Sequence, residues 1–436
     1  MMGIEHLEPP SVVEDAFKVK KDLWTGKEDP SVSYSRLLQS IQEEVAIIQK
    51  ADQENKSVIP EISFEAIDST PTTTIQEIKK RGCVVVRGTV GKEQAERWAQ
   101  MAEDYVTKDN NYAHEVNVDA DKKNFFAEST PQIYGVYWGK AQIQARQHEN
   151  VAKVRSYLNR LWSFESNDEW SFDPDKECSY ADRQRIRQPG NISGLAPHVD
   201  GGSVERWVDP GYVEFYKDVY NGNWESFDPW NGVARVRTEE LPSPNVCTVF
   251  RTYQGWLALS KQGKNDGTLQ VVPLVKQSTA HLLLKSFQQS VDSDDPFCGA
   301  FEGRQFKILE KYHAELLKGL ISIPEVQPGD MVFWHPDLIH AVEREHKGNG
   351  KSSVLYIGGA PLCKKNALYV KKQKKDFLNG EAGPDFPQEH KEVDYNNRAS
   401  VEDLTDLGKK QMGFEAWDTQ QGDKDARIKL LEECSI

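Results

Sequence analysis

The chain has 436 residues and carries 54 Lys and Arg against 68 Asp and Glu, which gives a formal net charge of −14. With 38% hydrophobic and 28% charged residues, the composition is that of an ordinary globular protein. The negative charge argues against nucleic acid and anionic membranes as partners, because proteins that bind either carry basic patches. No apolar run approaches the ~18 residues that cross a bilayer.

The cysteines and the N-terminus bear on the compartment. Six cysteines are scattered without a CxxC pair, and the acidic first ten residues lack the apolar segment of a secretory signal. Neither a disulfide framework nor a zinc knuckle is expected. We therefore expect a cytoplasmic protein with reduced thiols. The sequence leaves the oligomeric state open.

The N-terminal part of the chain is predicted to be mostly helical. One amphipathic helix is expected at 34–51, because its apolar residues recur at steps of three and four. Beyond it the patterns predict a short helix, a buried strand and two longer helices, at 75–80, 83–87, 92–107 and 151–165 respectively.

Between about 180 and 362, short β-like runs are separated by Gly, Pro and Asn. One helix, at 279–290, interrupts them. This spacing is typical of an antiparallel barrel or jelly roll, which closes its sheet edges and encloses a site. The predicted strands are 184–187, 196–200, 246–259, 268–272, 331–335 and 353–357.

The tail is charged and contains a lysine run at 364–375, which is most simply a solvated helix face and alternatively a binding patch. A further helix is predicted at 401–408. The chain therefore divides into an N-terminal helical extension (1–73), a β-rich core with helical insertions (74–362) and a C-terminal helical extension (363–436).

Two blocks carry residues that suit a metal site. His198 and Asp200 are two apart in a predicted strand, so both side chains would face one side. A second block, 327–340, begins with a Pro-Gly turn, continues as an apolar strand, and contains His335 and His340. Two imidazoles and one carboxylate form the facial triad of non-haem Fe(II) oxygenases. The residues alone leave the choice of distal histidine open, and His335 is alternatively a structural residue.

Several cations lie close to these strands. A dicarboxylate co-substrate needs a cation and a hydroxyl to bind its remote carboxylate, and Arg binds it in a bidentate manner where Lys cannot. The alternative is that these arginines only pair with acidic neighbours. The candidates are Arg185, Arg187, Arg251, Lys351 and Ser353.

Four blocks in order, at 78–88, 187–200, 255–273 and 329–340, resemble the iron(II)/2-oxoglutarate dioxygenases of the phytanoyl-CoA-hydroxylase-like branch. The resemblance implies a mainly β fold with flanking α-helices around a double-stranded β-helix, a cupin-like jelly roll. Three phrases in the chain are similar to hallmarks of a little-characterised bacterial and fungal subfamily, and they lie at 201–207, 250–256 and 407–413.

The resemblance also implies roles for single residues. His198, Asp200 and His340 would be the catalytic metal ligands, and Fe(II), 2-oxoglutarate and O2 would be the cofactor and co-substrates. The co-substrate cation would be Lys351, about ten residues beyond the distal histidine, with Ser353 two further on. Because the family norm there is arginine, we expect Arg187 or Arg251 to supply part of the binding.

The implied function is oxidation of a C–H bond of a small molecule by hydroxylation, desaturation or oxidative ring closure, within biosynthesis. The surplus of cations, with Arg185 and Arg251 as candidates, predicts a substrate with its own carboxylate, such as an amino acid or a natural-product intermediate. The retained Asp200 argues against halogenation, which needs that coordination position for halide. The alternatives are a protein side-chain hydroxylase and a non-catalytic, cupin-like metal-binding or sensor protein.

Overall fold

The computed structural model of the chain describes residues 16–108, 132–164, 172–191, 194–238, 247–302, 304–388 and 391–418. Its α-helices are α1 (Ala16–Leu23), α2 (Pro30–Gln53), α3 (Thr72–Arg81), α4 (Lys92–Thr107), α5 (Lys140–Arg146), α6 (Glu149–Asn159), α7 (Glu205–Val208), α8 (Pro210–Phe215), α9 (Lys217–Tyr220), α10 (Gly232–Arg235), α11 (Val275–Lys285), α12 (Glu310–Leu317), α13 (Lys364–Asn379) and α14 (Asp406–Gln411). Its strands are β1 (Glu61–Ser63), β2 (Cys83–Arg87), β3 (Ile133–Tyr134), β4 (Asp173–Glu177), β5 (Gln184–Arg187), β6 (Gly190–Asn191), β7 (His198–Val199), β8 (Gln254–Ala258), β9 (Leu269–Val271), β10 (Phe306–Lys307), β11 (Ile321–Ser322), β12 (Met331–Trp334), β13 (His340–Val342), β14 (Glu345–His346), β15 (Ser352–Tyr356) and β16 (Pro361–Leu362). Short 3₁₀ turns lie at Phe64–Ser69, Trp224–Ser226 and Val401–Asp403.

Two larger sheets organise the fold. A seven-stranded sheet has the order β1-β2-β12-β8-β15-β5-β3, and a five-stranded sheet has the order β10-β7-β13-β9-β11. All neighbouring strands are antiparallel except β1 and β2, which run parallel. Two smaller pairs, β14 with β6 and β16 with β4, lie beside them.

The seven-stranded sheet is the middle layer of the molecule. On one of its faces Trp256 and Val332 share an apolar cluster with Val271 of the five-stranded sheet. On its other face Phe333 belongs to a second cluster with Trp98 of α4 and with residues of α6. Because side chains alternate along a strand, adjacent residues such as Val332 and Phe333 enter different clusters.

The predicted N-terminal amphipathic helix is confirmed as α2. Asp29 caps it by accepting a hydrogen bond from the Ser31 amide at 2.9 Å, and Pro30 occupies the first turn, where no amide donor is needed. Its apolar stripe packs into the same cluster as the face between the two sheets, through Leu37, Ile41, Val45 and Ile48.

The prediction of a mainly β core is corrected to a mixed fold of helices and several sheets. Helices α7 to α10 and α12 lie inside the segment that was predicted to be β-rich. The first four contain only four to six residues each, which is too short for a 3.6-residue periodicity to be visible. The predicted strands themselves are confirmed at similar or shorter lengths.

The lysine-rich tail segment forms α13, which buries Ala367, Val370 and Phe377 while Lys372 and Lys375 are exposed. It is therefore a solvated helix face, as the simpler interpretation expected. The boundaries drawn at 73/74 and 362/363 stay a prediction. Among the residues described, no helix is both long and apolar enough to span a bilayer.

Candidate metal centre

Two histidines predicted as metal ligands face each other across neighbouring strands. His198 of β7 and His340 of β13 are direct antiparallel partners, so their side chains lie on the same face of the five-stranded sheet. The centroids of their rings are 4.2 Å apart. Strand pairing thus brings together two residues that are far apart in sequence.

Asp200 completes the cluster. Its carboxylate oxygens lie 3.4 Å from Nε2 of His198 and 3.6 Å from Nε2 of His340. One ligand atom from each residue falls within 4.8 Å of the other two, which is compatible with a single ion between them. Gly201 follows with φ = +83°, a left-handed conformation that turns the chain directly after the carboxylate.

Both imidazoles are oriented for metal binding. Nδ1 of His198 lies 2.8 Å from the Ala196 carbonyl oxygen, and Nδ1 of His340 lies 3.0 Å from that of Leu338. Because a carbonyl oxygen can only accept, each Nδ1 carries a proton, and each Nε2, the atom that faces Asp200, presents a lone pair to a metal once it carries no proton. This arrangement fixes the tautomer and ring angle that a metal-ligating histidine needs.

The Asp200 carboxylate is held by two glutamines. Gln254 donates to its Oδ2 and Gln305 donates to its Oδ1 at 3.0 Å, while the Trp334 indole donates to the Gln254 amide oxygen at 2.9 Å. Burial alone would raise the pKa of the Asp200 carboxyl, but hydrogen bonds and charge interactions with His198 and His340 hold it well below its usual range. The carboxylate is therefore ionised and ready to bind a cation.

The three residues open into a cavity of about 210 Å³ between the two larger sheets. Its apolar wall is formed by Ile133, Leu195, Trp256, Leu269, Trp334 and Val342. The charged side chains besides Asp200 are Asp182, Arg183, Arg185 and Arg251, and two tyrosines, Tyr180 and Tyr356, also reach it. A mostly apolar pocket with a few convergent polar groups is typical of a small-molecule site.

A family model described as Gig2-like matches residues 12–414. The chain belongs to the Gig2-like family. It is 39% identical over 390 residues to the uncharacterized protein YbiU of Escherichia coli (strain K12), a match that covers 88% of this chain and 91% of that protein.

Solved structures with the same fold come from bacteria and from a fungus. A Salmonella typhimurium LT2 protein, provisionally named an oxidoreductase, superposes with a TM-score of 0.85 at 37% identity, over 93% of this chain and 98% of that one. GlcNAc Inducible Gene 2 of Candida albicans superposes with a TM-score of 0.83 at 30% identity, over 98% and 94% of the two chains. The predicted bacterial and fungal kinship is confirmed, whereas the phytanoyl-CoA-hydroxylase-like branch stays a prediction.

The structure brings His340, and not His335, to the cluster of this Gig2-like chain. His335 Nε2 donates to the Pro229 carbonyl at 2.9 Å, its Nδ1 accepts from the Asp337 amide at 3.0 Å, and its ring stacks on Trp162. Burial lowers the pKa of His335 to about 4, so the imidazole is neutral. His335 is therefore placed as a structural residue.

Three of the predicted co-substrate residues do not reach the cavity. The exposed Lys351 pairs with Glu103, and Arg187 donates to the carbonyls of Gly267, Glu343 and Arg344. Ser353 lies on the opposite face of β15 from the cavity residue Tyr356, since the two are an odd number of positions apart. The structure therefore does not place these residues where the prediction requires.

Arg185 and Arg251, in contrast, line the cavity. Arg185 projects from β5 opposite Val354, and its guanidinium donates to Gln262 at 3.1 Å and to the Ser352 hydroxyl at 3.2 Å. Its Nε is buried and has no hydrogen-bond partner in the described part of the chain. Arg251 is half-buried, with its guanidinium 5.9 Å from the Tyr180 ring.

A buried ionic network that the sequence did not indicate joins the segments on either side of the centre. Asp337, three residues before His340, lies 3.0 Å from Arg206 and 3.4 Å from Arg235, and accepts from the Tyr216 hydroxyl at 3.2 Å. Arg206 also donates to the Asp200 carbonyl at 3.4 Å. The network therefore ties the segment that carries Asp200 to the segment that leads into His340.

Proposed function

We propose that this protein is a non-haem Fe(II)/2-oxoglutarate-dependent dioxygenase that oxidises a C–H bond of a small molecule. The observation that carries the proposal is that one cavity holds both the His-Asp-His cluster and two arginines, Arg185 and Arg251, that have no carboxylate within 4.0 Å among the described residues. The cluster alone fits many divalent metals. A dicarboxylate co-substrate requires, in addition to the metal, a neighbouring cation that binds its remote carboxylate.

His198, Asp200 and His340 would hold the iron. Two neutral imidazoles and one carboxylate are the donor set of the facial triad, which leaves coordination positions open for a co-substrate and O2. Gln254 and Gln305 keep the carboxylate in place through its two oxygens, and the Nδ1 hydrogen bonds keep both rings in place. When bound, Fe(II) with 2-oxoglutarate activates O2 for attack on a C–H bond.

Arg185 would bind the remote carboxylate of 2-oxoglutarate in place of Lys351. Arg185 lines the cavity, its Nε has no hydrogen-bond partner among the described residues, and the two groups that accept from its guanidinium, Gln262 and Ser352, are neutral. Ser352 supplies the hydroxyl expected beside the cation, one position earlier in β15 than predicted. An arginine also restores the bidentate geometry that lysine cannot offer.

The seven- and five-stranded sheets would be the two walls of the predicted double-stranded β-helix. What supports this is their shared apolar cluster and the position of the His-Asp-His cluster between them. Trp256, Trp334, Leu269 and Val342 would exclude water from the reacting atoms. For a hydroxylation, the substrate C–H bond, O2 and 2-oxoglutarate would give the alcohol, succinate and CO2.

The test is iron-dependent decarboxylation of 2-oxoglutarate labelled at C1, measured as labelled CO2 together with succinate. We expect turnover by the native chain in the presence of a small-molecule metabolite extract. His198→Ala, Asp200→Ala and His340→Ala should each abolish it, whereas His335→Ala should leave measurable activity. An active His340→Ala variant beside an inactive His335→Ala variant would contradict the distal assignment.

The same assay separates the alternatives. A sensor would bind iron without producing succinate under any condition. A protein side-chain hydroxylase would be stimulated by the macromolecular fraction of an extract and not by its small molecules. Lys351→Ala is the matched control for a charge change near the cavity, because its ion pair with Glu103 lies at the surface.

A further inference from the structure

We propose that Arg251 binds a carboxylate of the substrate, so that the substrate is a carboxylic acid that enters the cavity beside 2-oxoglutarate. This inference rests on the proposed function and deepens it. It follows from a comparison of the cations and carboxylates that face the cavity.

Among the described residues, the cavity is lined by three arginines and two aspartates. Arg183 is paired with Asp182 at 3.1 Å, and Asp200 belongs to the metal cluster. Arg185 and Arg251 then remain without a carboxylate within 4.0 Å in the described part of the chain. Two cations that line one cavity and have no acidic partner among the described residues are balanced when two anionic groups bind there.

The two arginines are not equivalent. Arg185 is 4% exposed and is fixed by Gln262 and Ser352 on the sheet, which suits the constant co-substrate. Arg251 is half-buried, its guanidinium lies 5.9 Å from the centre of the Tyr180 ring, and it interacts with Asp200 and Asp182 at longer range. The more accessible cation suits the ligand that binds last.

One acidic residue outside the cavity that interacts with Arg251, Asp385, is already occupied. Asp385 accepts hydrogen bonds from the Thr248 amide at 2.9 Å, from the Thr248 hydroxyl at 2.7 Å and from the Tyr180 hydroxyl at 3.3 Å. It interacts with Arg251 only at longer range. Asp385 therefore orients Tyr180 beneath the guanidinium and does not neutralise it by direct pairing.

A second, narrower pocket adjoins the main cavity at Arg251. It shares Asp200 and Arg251 with the main cavity and is also lined by Arg235 and Lys365. Arg251 thus lies at the junction of the two pockets, next to the metal cluster. Positive charges around a pocket favour the binding of an anion.

The experiment uses the full chain loaded with Mn(II) and saturated with 2-oxoglutarate. Acetate is the probe for a second carboxylate site, and the measurement is the Mn(II)-induced relaxation of its methyl protons. We expect enhanced relaxation with the native chain, because the site lies beside the metal cluster. Arg251→Gln should weaken acetate binding roughly 10- to 100-fold, the loss of a charge-assisted hydrogen bond.

Three controls make the result decisive. Lys351→Gln removes a cation whose ion pair with Glu103 lies at the surface and outside the cavity, so it should leave the acetate effect unchanged. Arg251→Lys should retain part of it, which separates loss of charge from loss of fold. Acetamide, which has the same shape without the charge, should show no enhancement in the native chain.

The outcomes separate this inference from the proposed function. Suppose that Mn(II) and 2-oxoglutarate bind. If the relaxation of the acetate methyl protons is then not enhanced by the native chain, or is enhanced equally by the Arg251→Gln variant, the substrate inference is wrong and the oxygenase proposal stands. Acetamide as effective as acetate would also overturn the inference. If neither Mn(II) nor 2-oxoglutarate binds, the oxygenase proposal itself fails.

Discussion

Asp337→Asn tests whether the buried ionic network holds the centre together. The Asp337, Arg206 and Arg235 side chains are 1%, 2% and 5% exposed, so the substitution leaves two guanidinium groups buried against a neutral amide. Burial alone would raise the pKa of Asp337, but the two arginines lower it more, which indicates a strongly stabilised carboxylate. Breaking such a buried pair costs about 3–5 kcal/mol.

The assay is urea unfolding followed by tryptophan fluorescence. The matched control is Glu214→Gln, which removes an exposed ion pair with Lys217 and should produce no measurable loss. Because the network ties the Asp200 segment to the His340 segment, Asp337→Asn should also weaken Mn(II) binding, by roughly tenfold or more. Stability and Mn(II) affinity that both match the Glu214→Gln variant would refute this reasoning.

Three further predictions follow from the packing. Lowering the pH from 7.5 to 5 should reduce the unfolding free energy of the native chain by about 2 kcal/mol more than that of a His335→Gln variant. The reason is that the pKa of His335 is about 4 in the folded chain and 6.5 in the unfolded chain. The stability that His335 contributes is therefore complete above pH 6.5 and is lost as the pH falls toward 4. The check is the difference in unfolding free energy between the two proteins at each pH, and a pH-independent difference would count against it. Ile41→Ala in α2 should cost about 2–5 kcal/mol because Ile41 is fully buried, whereas Ile47→Ala, at a 49% exposed position, should be nearly neutral in the same urea assay. Arg185→Gln should weaken 2-oxoglutarate binding to Mn(II)-loaded protein by roughly tenfold or more, measured by calorimetry, while Lys351→Ala leaves this affinity unchanged. Weaker binding in Lys351→Ala and unchanged binding in Arg185→Gln would restore Lys351 as the co-substrate cation.

The sequence was sufficient to locate the strands at the His-Asp-His cluster. His198 and Asp200 could be identified as a pair because residues two apart in the predicted strand would share a side, although the strand ends at Val199 and Asp200 directly follows it. The Pro-Gly turn marked the start of the strand that leads toward His340. Long α2 was predictable because 24 residues contain several periods of its apolar stripe. The short helices α7 to α10 were not predictable, because one or two turns are too short to show a repeating apolar pattern.

The co-substrate residues could not be assigned from spacing alone. A shift of one position along β15 moves a side chain to the opposite face of the sheet, which is why Ser352, and not Ser353, lies beside Arg185. Gln305 and Asp337 were missed for another reason. Their partners, Asp200 and Arg206, are 105 and 131 residues away in the chain, and no local pattern records such contacts.

The most direct test of the central claim is a titration of the metal-free chain with Mn(II), followed by electron paramagnetic resonance of the free ion. We predict one tight site per chain, its loss in both His198→Ala and His340→Ala, and its retention in His335→Gln. Tight binding that survives in His198→Ala and His340→Ala would contradict the account, because the metal would then bind outside the cluster on which the proposed chemistry depends.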